Sequence, residues 1–218
     1  HIQQKRKNKV NLIQNKALEL SLFLSLPASI ALLIGSEEII SALFGYGKFI
    51  ESSVLNSAKA LYFFGFGLPA FAMLKVFSNF FFANNDTKTP FYISLLSILL
   101  NIFLSLYYFK TVGFIIIPIA TTISSWFNLI ILFLLLKKRR LFNFNSIFIN
   151  RFFKIIIATI LMGIFFNYLI LFFNEELSFK SPLKSIYLIL SVILGLTFYL
   201  ITSYLIKAFK LEDIKLKY

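Results

Sequence analysis

Apolar residues run along this chain in six long stretches, each closed by a short polar cap. The stretches cover approximately 17–35, 61–83, 91–109, 112–136, 152–173 and 183–206. About 20 apolar residues of helix cross ~30 Å of hydrocarbon, and each stretch approaches or exceeds that length. Backbone groups in lipid must be satisfied inside their own segment, so each stretch predicts a helix. The alternation of a β-barrel strand is absent. The expected fold is all-α, a polytopic membrane protein with six transmembrane helices.

The caps differ in character. Residues 36–60 form the longest, and are expected as an outer loop holding Phe44-Gly45-Tyr46-Gly47-Lys48-Phe49. Residues 84–89 are expected as a tight turn, with Asp, Asn and Thr suited to capping the next helix and Pro90 suited to its first turn. Residues 141–150 are apolar and aromatic between basic ends, which suits a short segment along the inner membrane surface. These caps suggest four parts. A cytoplasmic loop covers 1–16, a four-helix part 17–140 and a cytoplasmic or interfacial linker 141–151. Two further helices and a basic tail make up 152–218.

Composition agrees with a lipid environment. Of 218 residues 59% are hydrophobic and 14% charged, with a mean hydropathy of +0.84. A soluble domain is nearer one-quarter charged. Cysteine is absent, which excludes disulfides, thiol catalysis and cysteine metal sites. The single histidine, His1, is terminal. Abundant Phe, Ile, Asn and Lys read as the product of an AT-rich genome, so the phenylalanines are not read one by one as functional.

The net charge of +13 raises nucleic acid as a partner, but the basic residues cluster at the ends of apolar runs. That is membrane topology. With the N-terminus inside, 16 basic residues fall in cytoplasmic segments, against five outside: Lys48, Lys59, Lys110, Lys180 and Lys184. Both termini are therefore expected in the cytoplasm. The chain opens without a signal-peptide pattern and is read as a fragment that continues upstream.

Lys75 stands inside the second run, about 12 Å of helix from its polar end. An ionisable residue there either snorkels and pairs within the bundle, or faces an aqueous cavity as a cationic contact for an anionic substrate. Pro27, Gly65, Gly67, Pro69 and Pro118 interrupt the first, second and fourth runs. They fit either simple kinked packing or bends used in alternating access. Asn101 and Ser105 share a face of the third helix, and Thr121, Thr122, Ser124, Ser125 and Asn128 make a polar cluster in the fourth. Interhelical hydrogen bonding is one account. A cation site built from Asn101, Thr121 and the carbonyl of Ile117 is the other. Glu37, Glu38, Glu51, Glu175 and Glu176 read as solvated outer-loop charges. No carboxylate pair, metal cluster, phosphate loop or nucleophile–base set lies in the membrane, so no enzyme is expected.

Four stretches in order carry a family resemblance: NKALELSLFLSLPASIALLIGSEEIISALFGYGKF, ALYFFGFGLPAFAMLKVFSNFFFANNDTKTP, LLNIFLSL and VGFIIIPIATTISSWFNLIILFLLLKKR. Together they resemble the MurJ/MviN family of lipid II flippases, in the multidrug/oligosaccharidyl-lipid/polysaccharide flippase superfamily. The likeness spans about 15–140. It implies a bacterial inner-membrane protein of fourteen spans, of which this chain would hold the ninth to the fourteenth. It implies export of undecaprenyl-pyrophosphate-linked disaccharide-pentapeptide for peptidoglycan and cell-wall assembly, by alternating access between an N-terminal lobe and a C-lobe. The last two spans would form a groove for the lipid tail. Expected partners are the lipid-linked precursor, membrane lipids and the N-terminal lobe of the same full-length protein. No cofactor is implied beyond a monovalent cation or the membrane potential. Some members resemble cation-coupled transporters. Asn101 and Thr121 stand where two ligands would be, and Ser105 where an aspartate would be expected. Two other functions fit the same pattern: a polysaccharide-unit flippase or drug/cation antiporter of the superfamily, and a non-transport membrane scaffold.

Overall fold

The computed structural model describes residues 2–208, with side chains from residue 9 onward. The basic tail beyond Ala208, and the side chains of Lys5, Arg6 and Lys7, lie outside the described residues. All regular structure among the described residues is helical: α1 (Ile2–Ile34), α2 (Ser36–Phe44), α3 (Glu51–Phe82), α4 (Lys88–Val112), α5 (Ile116–Lys138), α6 (Ser146–Phe172), α7 (Asn174–Leu177) and α8 (Lys184–Leu205). A short 3-10 turn, Gly113–Ile115, joins α4 to α5.

Among the described residues, five segments are long and apolar enough to cross a membrane: Lys9–Ile34, Glu51–Phe82, Lys88–Lys138, Ser146–Phe172 and Lys184–Leu205. The third has 51 residues but is not one rod. Gly113 takes φ 73° and ψ −157°, a region that only glycine enters readily, and its N–H caps the Phe109 carbonyl. The chain reverses there. Asn101 then reaches Thr121, and Asn128 reaches Ser94, pairs that share one midpoint and so mark an antiparallel hairpin.

Two expectations are corrected. Residues 2–16 are helical rather than a loop, because the first apolar run simply continues a helix already begun in polar sequence. Most of 36–60 is helical too. There α2 buries Ile40, Ser41 and Ala42, and α3 begins at Glu51, ten residues before its apolar run. Hydropathy marks where lipid begins, not where a helix begins.

The chain forms two compact units. Unit 1 holds residues up to Ser25 and Phe66–Ile149, and unit 2 holds Leu26–Gly65 and Asn150 onward. The division runs through α1 and α3. Unit 1 is centred on Leu18, Phe81, Leu132 and Leu136, each no more than 1% exposed. The segment 141–149 belongs to it. Phe142 is buried and stacks on Phe80, with ring centroids 5.6 Å apart, and touches Phe77 and Phe144. In unit 2, Gly35, Gly163 and Gly195 let α1, α6 and α8 close in. A Cβ at these positions would stand 3.0 Å from Phe166, 2.7 Å from Ile30 and 3.3 Å from Phe166. Around that seam Ile155, Ala158 and Phe166 are buried.

Candidate functional site

The turn at 82–90 is built by two end motifs back to back. Asn85 adopts a left-handed φ of 58°, so its N–H bonds the Phe82 carbonyl at 2.9 Å and the Asp86 N–H bonds Phe81 at 3.0 Å. That closes α3 in a Schellman motif. Asp86 then opens α4. Its carboxylate accepts the Thr89 N–H at 2.9 Å and the Thr89 hydroxyl at 2.6 Å. Pro90 falls in the first turn, where its missing N–H costs nothing. Arg139 from the end of α5 pairs with the same carboxylate, donates to Thr89 Oγ1 at 3.1 Å, and lies 5.6 Å above the Phe81 ring. One carboxylate thus ties together the ends of three helices.

The Thr89 hydroxyl, the Thr89 N–H and then Arg139 hold the Asp86 carboxyl down at about 2. A depressed carboxyl contributes stability that is present above its unfolded pKa and is lost as pH falls through the folded value. The cap is therefore expected to stay intact through pH 4 and to fail near pH 2. Thr89→Val should move the midpoint back toward the ordinary carboxylate range. A carbon-13 titration of the Asp86 carboxyl reads this directly, and an unmoved midpoint in Thr89→Val would count against the assignment.

Inside unit 1, α4 and α5 flank an open cleft of about 300 Å³ lined by polar side chains. Asn101, Thr121, Ser124 and Asn128 line it. Asn101 Nδ2 donates to Thr121 Oγ1 at 3.0 Å, and Thr121 Oγ1 donates to the Ile117 carbonyl at 2.8 Å. Ser124 and Ser125 return to the Thr121 carbonyl. The structure thus brings together Asn101, Thr121 and Ile117. Ser105, one turn along α4, is half-buried, with its hydroxyl oxygen shielded and unpartnered, and lies outside the cleft lining. As it stands this donor set does not fit a cation. Asn101 presents its amide nitrogen, the Thr121 hydroxyl is spent on Ile117, and the lining carries no carboxylate.

Lys75 is exposed, on the face of α3 opposite buried Phe77, with no hydrogen bond or ion pair to any described residue. Pro69 lies inside α3 and removes the N–H that would serve the Gly65 carbonyl. Ser29 of α1 donates to that carbonyl instead, at 2.7 Å. A Cβ on Gly65 would crowd Leu32 and Leu33, and one on Gly67 would stand 2.9 Å from Thr122 Oγ1. Pro27 lies inside α1 and is buried. Pro118 is the third residue of α5, a first-turn position that breaks no helical bond, so it bends nothing there.

A family model described as lipid II flippase MurJ matches residues 1–205. The chain belongs to the MurJ family. The probable lipid II flippase MurJ of Rickettsia prowazekii (strain Madrid E) is 31% identical over 202 residues, covering 92% of this chain and 40% of that protein. The Thermotoga maritima counterpart is 36% identical over 194 residues, covering 89% and 37%. A solved lipid II flippase MurJ in an inward closed conformation superposes with a TM-score of 0.74 at 26% identity, over 94% of this chain and 40% of that one. The chain spans about 40% of the length of the first of these curated relatives. It is a multi-pass protein of the bacterial inner membrane.

Several residues that shape this MurJ-family chain carry no obvious sequence signal. Asn15, 2% exposed, donates from Nδ2 to the carbonyls of Asn11 and Asn143 at 2.8 and 2.9 Å. Its Oδ1 accepts the Asn145 N–H at 3.2 Å. Lys184, expected as a solvated outer charge, is 2% exposed. Its Nζ donates to the carbonyls of Gly45 and Phe179 at 2.6 and 2.8 Å, and lies 4.4 and 4.6 Å from the Tyr46 and Phe179 rings. Glu19 is a buried acid within the first apolar run, engaged with the surrounding structure. Its position in that run was the signal that could have found it.

Proposed function

We propose that this chain forms the C-terminal part of a lipid II flippase. It would supply one wall of the path by which undecaprenyl-pyrophosphate-linked peptidoglycan precursor crosses the inner membrane, the N-terminal lobe of the full-length protein supplying the other. The observation that carries this reading is the likeness, over 94% of the chain, to a lipid II flippase caught inward closed. The reversal at Gly113 supports six crossings, and the clustering of Lys and Arg at alternate ends supports cytoplasmic termini. The role is transport, with no bond made or broken by the chain. A monovalent cation at Asn101 and Thr121 would require the amide to turn its oxygen inward and the hydroxyl to release Ile117. Membrane-potential coupling makes no such demand.

In this reading Lys75 is a cationic contact for the anionic head group. Lys75→Leu in the full-length protein is expected to leave thermal stability within about 0.5 kcal/mol, since no partner is lost. Flipping should fall about tenfold, the equivalent of one charge-assisted contact of about 1.4 kcal/mol. Vesicle-based precursor export measures this, and unchanged flux would remove Lys75 from the path. The reading as a whole is tested by depleting the full-length protein in its host. Precursor is expected to accumulate on the cytoplasmic face, and undiminished export in a verified depletion strain would refute it.

A further inference from the structure

Unit 2 holds a second pocket, of about 220 Å³, unconnected with the reading of the hairpin cavity. Its lining includes Glu37, Glu38 and Ser41 of α2, Glu51 in the first turn of α3, and Asn174 and Phe179. Two lining atoms are buried and have no hydrogen-bond partner: Glu38 Oε2 and Ser41 Oγ. Ser41 is 3% exposed, so its hydroxyl is closed off from bulk water. Glu38 and Ser41 stand three residues apart and share one helix face. The positive end of α2 accounts for acids in its first turn, as helix dipoles commonly do. It does not account for a carboxylate oxygen and a hydroxyl turned inward with nothing to bond.

The missing component is a hydrogen-bond donor with positive charge. Three carboxylates line the pocket, and no lysine or arginine is among its lining residues. No group of three metal-ligating side chains converges among the described residues. The volume also far exceeds the ~30 Å³ share of a single water. One lining residue is aromatic: Phe179, whose ring centroid lies 4.6 Å from the Lys184 ammonium. Carboxylates and a hydroxyl together make the chemistry that recognises an ammonium.

We propose that this pocket binds a primary ammonium group, free or carried on a larger molecule, with Glu38 and Ser41 as its acceptors and Phe179 as its wall. Burial raises the Glu38 carboxyl, its own backbone lowers it, and the Glu37 charge raises it again. A bound cation offsets the two raising causes. The pocket does not depend on the flippase reading and stands or falls separately.

Thermal unfolding of the full-length protein in detergent tests it, with methylammonium as the probe. Tetramethylammonium, which has the charge but no N–H, and sodium are the controls. The midpoint is expected to rise by several degrees with methylammonium and to keep rising with its concentration, as ligand linkage requires. The controls should have little effect. Ser41→Ala removes only a hydroxyl, and Glu38→Gln only a charge. Both are expected to weaken the response about tenfold. Without ligand, each should unfold no lower than wild type, because each removes a buried group that lacks a partner. A lysine amide with a blocked α-amine separates the sources. A larger shift than with methylammonium points to an ammonium carried on a peptide, a smaller one to a free amine. Equal stabilisation by sodium or tetramethylammonium overturns the proposal, as does an undiminished methylammonium response in both variants.

Discussion

Lys184→Met in the full-length protein is expected to unfold at a clearly lower temperature, with a loss of about 2–5 kcal/mol. The ammonium is 2% exposed and holds two backbone carbonyls, Gly45 O on the turn after α2 and Phe179 O after α7. Methionine keeps the length of the stem but leaves both carbonyls without a donor. Each stranded group costs about 1–3 kcal/mol. The geometry leaves little room for adjustment. A Cβ at Gly45 would stand 3.0 Å from Nζ and 2.5 Å from the Ser41 carbonyl. Tyr46→Phe is the natural control. It removes the exposed 2.6 Å bond between the Tyr46 and Ser185 hydroxyls, worth under about 1 kcal/mol. Thermal denaturation in detergent checks both, and a Lys184→Met midpoint within a degree of wild type would show that the cage is not structural.

Asn15→Leu is expected to cost about 2–4 kcal/mol and to loosen residues 141–149 from unit 1. The single amide satisfies the Asn143 carbonyl and the Asn145 N–H, neither of which lies in a helix to be served otherwise. Leucine fills the space but pairs with neither. Trypsin in inside-out vesicles should then cut at Arg139 and Arg140 faster than in wild type. Unchanged cleavage and an unchanged midpoint would mean that the Asn143 N–H bond to Asn11 Oδ1, with Phe142 and its aromatic neighbours, is enough to hold the segment.

These two residues show where sequence reasoning runs out. The apolar runs were legible because lipid imposes a length on them, and the break after the third because Lys110 and Thr111 separate it from the fourth. The Asp86–Pro90 cap was legible because its partners, apart from Arg139, lie within three residues. Lys184 and Asn15 each reach a distant backbone group, the Gly45 and Asn143 carbonyls, 139 and 128 residues away. A backbone group looks the same in every residue, so nothing in the sequence marks it as a partner. Lysine at the edge of an apolar run also reads as a topology marker, which hid the burial of Lys184. The hairpin cavity was half legible. Asn101 and Thr121 stand out as polar positions in apolar runs, but the direction of their hydrogen bonds, which decides against a cation as arranged, is a matter of rotamers.

Three helices end in the same backbone motif, with Asn85, Arg140 and Lys207 in the left-handed position at φ 58°, 56° and 57°. Glycine would sit there with less strain, by about 1 kcal/mol. The two basic residues make sense once biogenesis is separated from folding. A nascent segment is oriented while it threads the insertion machinery, before its end motif exists, and positive charge beside the emerging span fixes that decision. Only afterward does the backbone strain come due. If both lie on the cytoplasmic side, as proposed, Arg140 and Lys207 serve the ribosome-bound chain at the expense of the finished protein. A glycine-rich redesign of these ends would yield a sturdier fold that is less certain to enter the membrane the right way round.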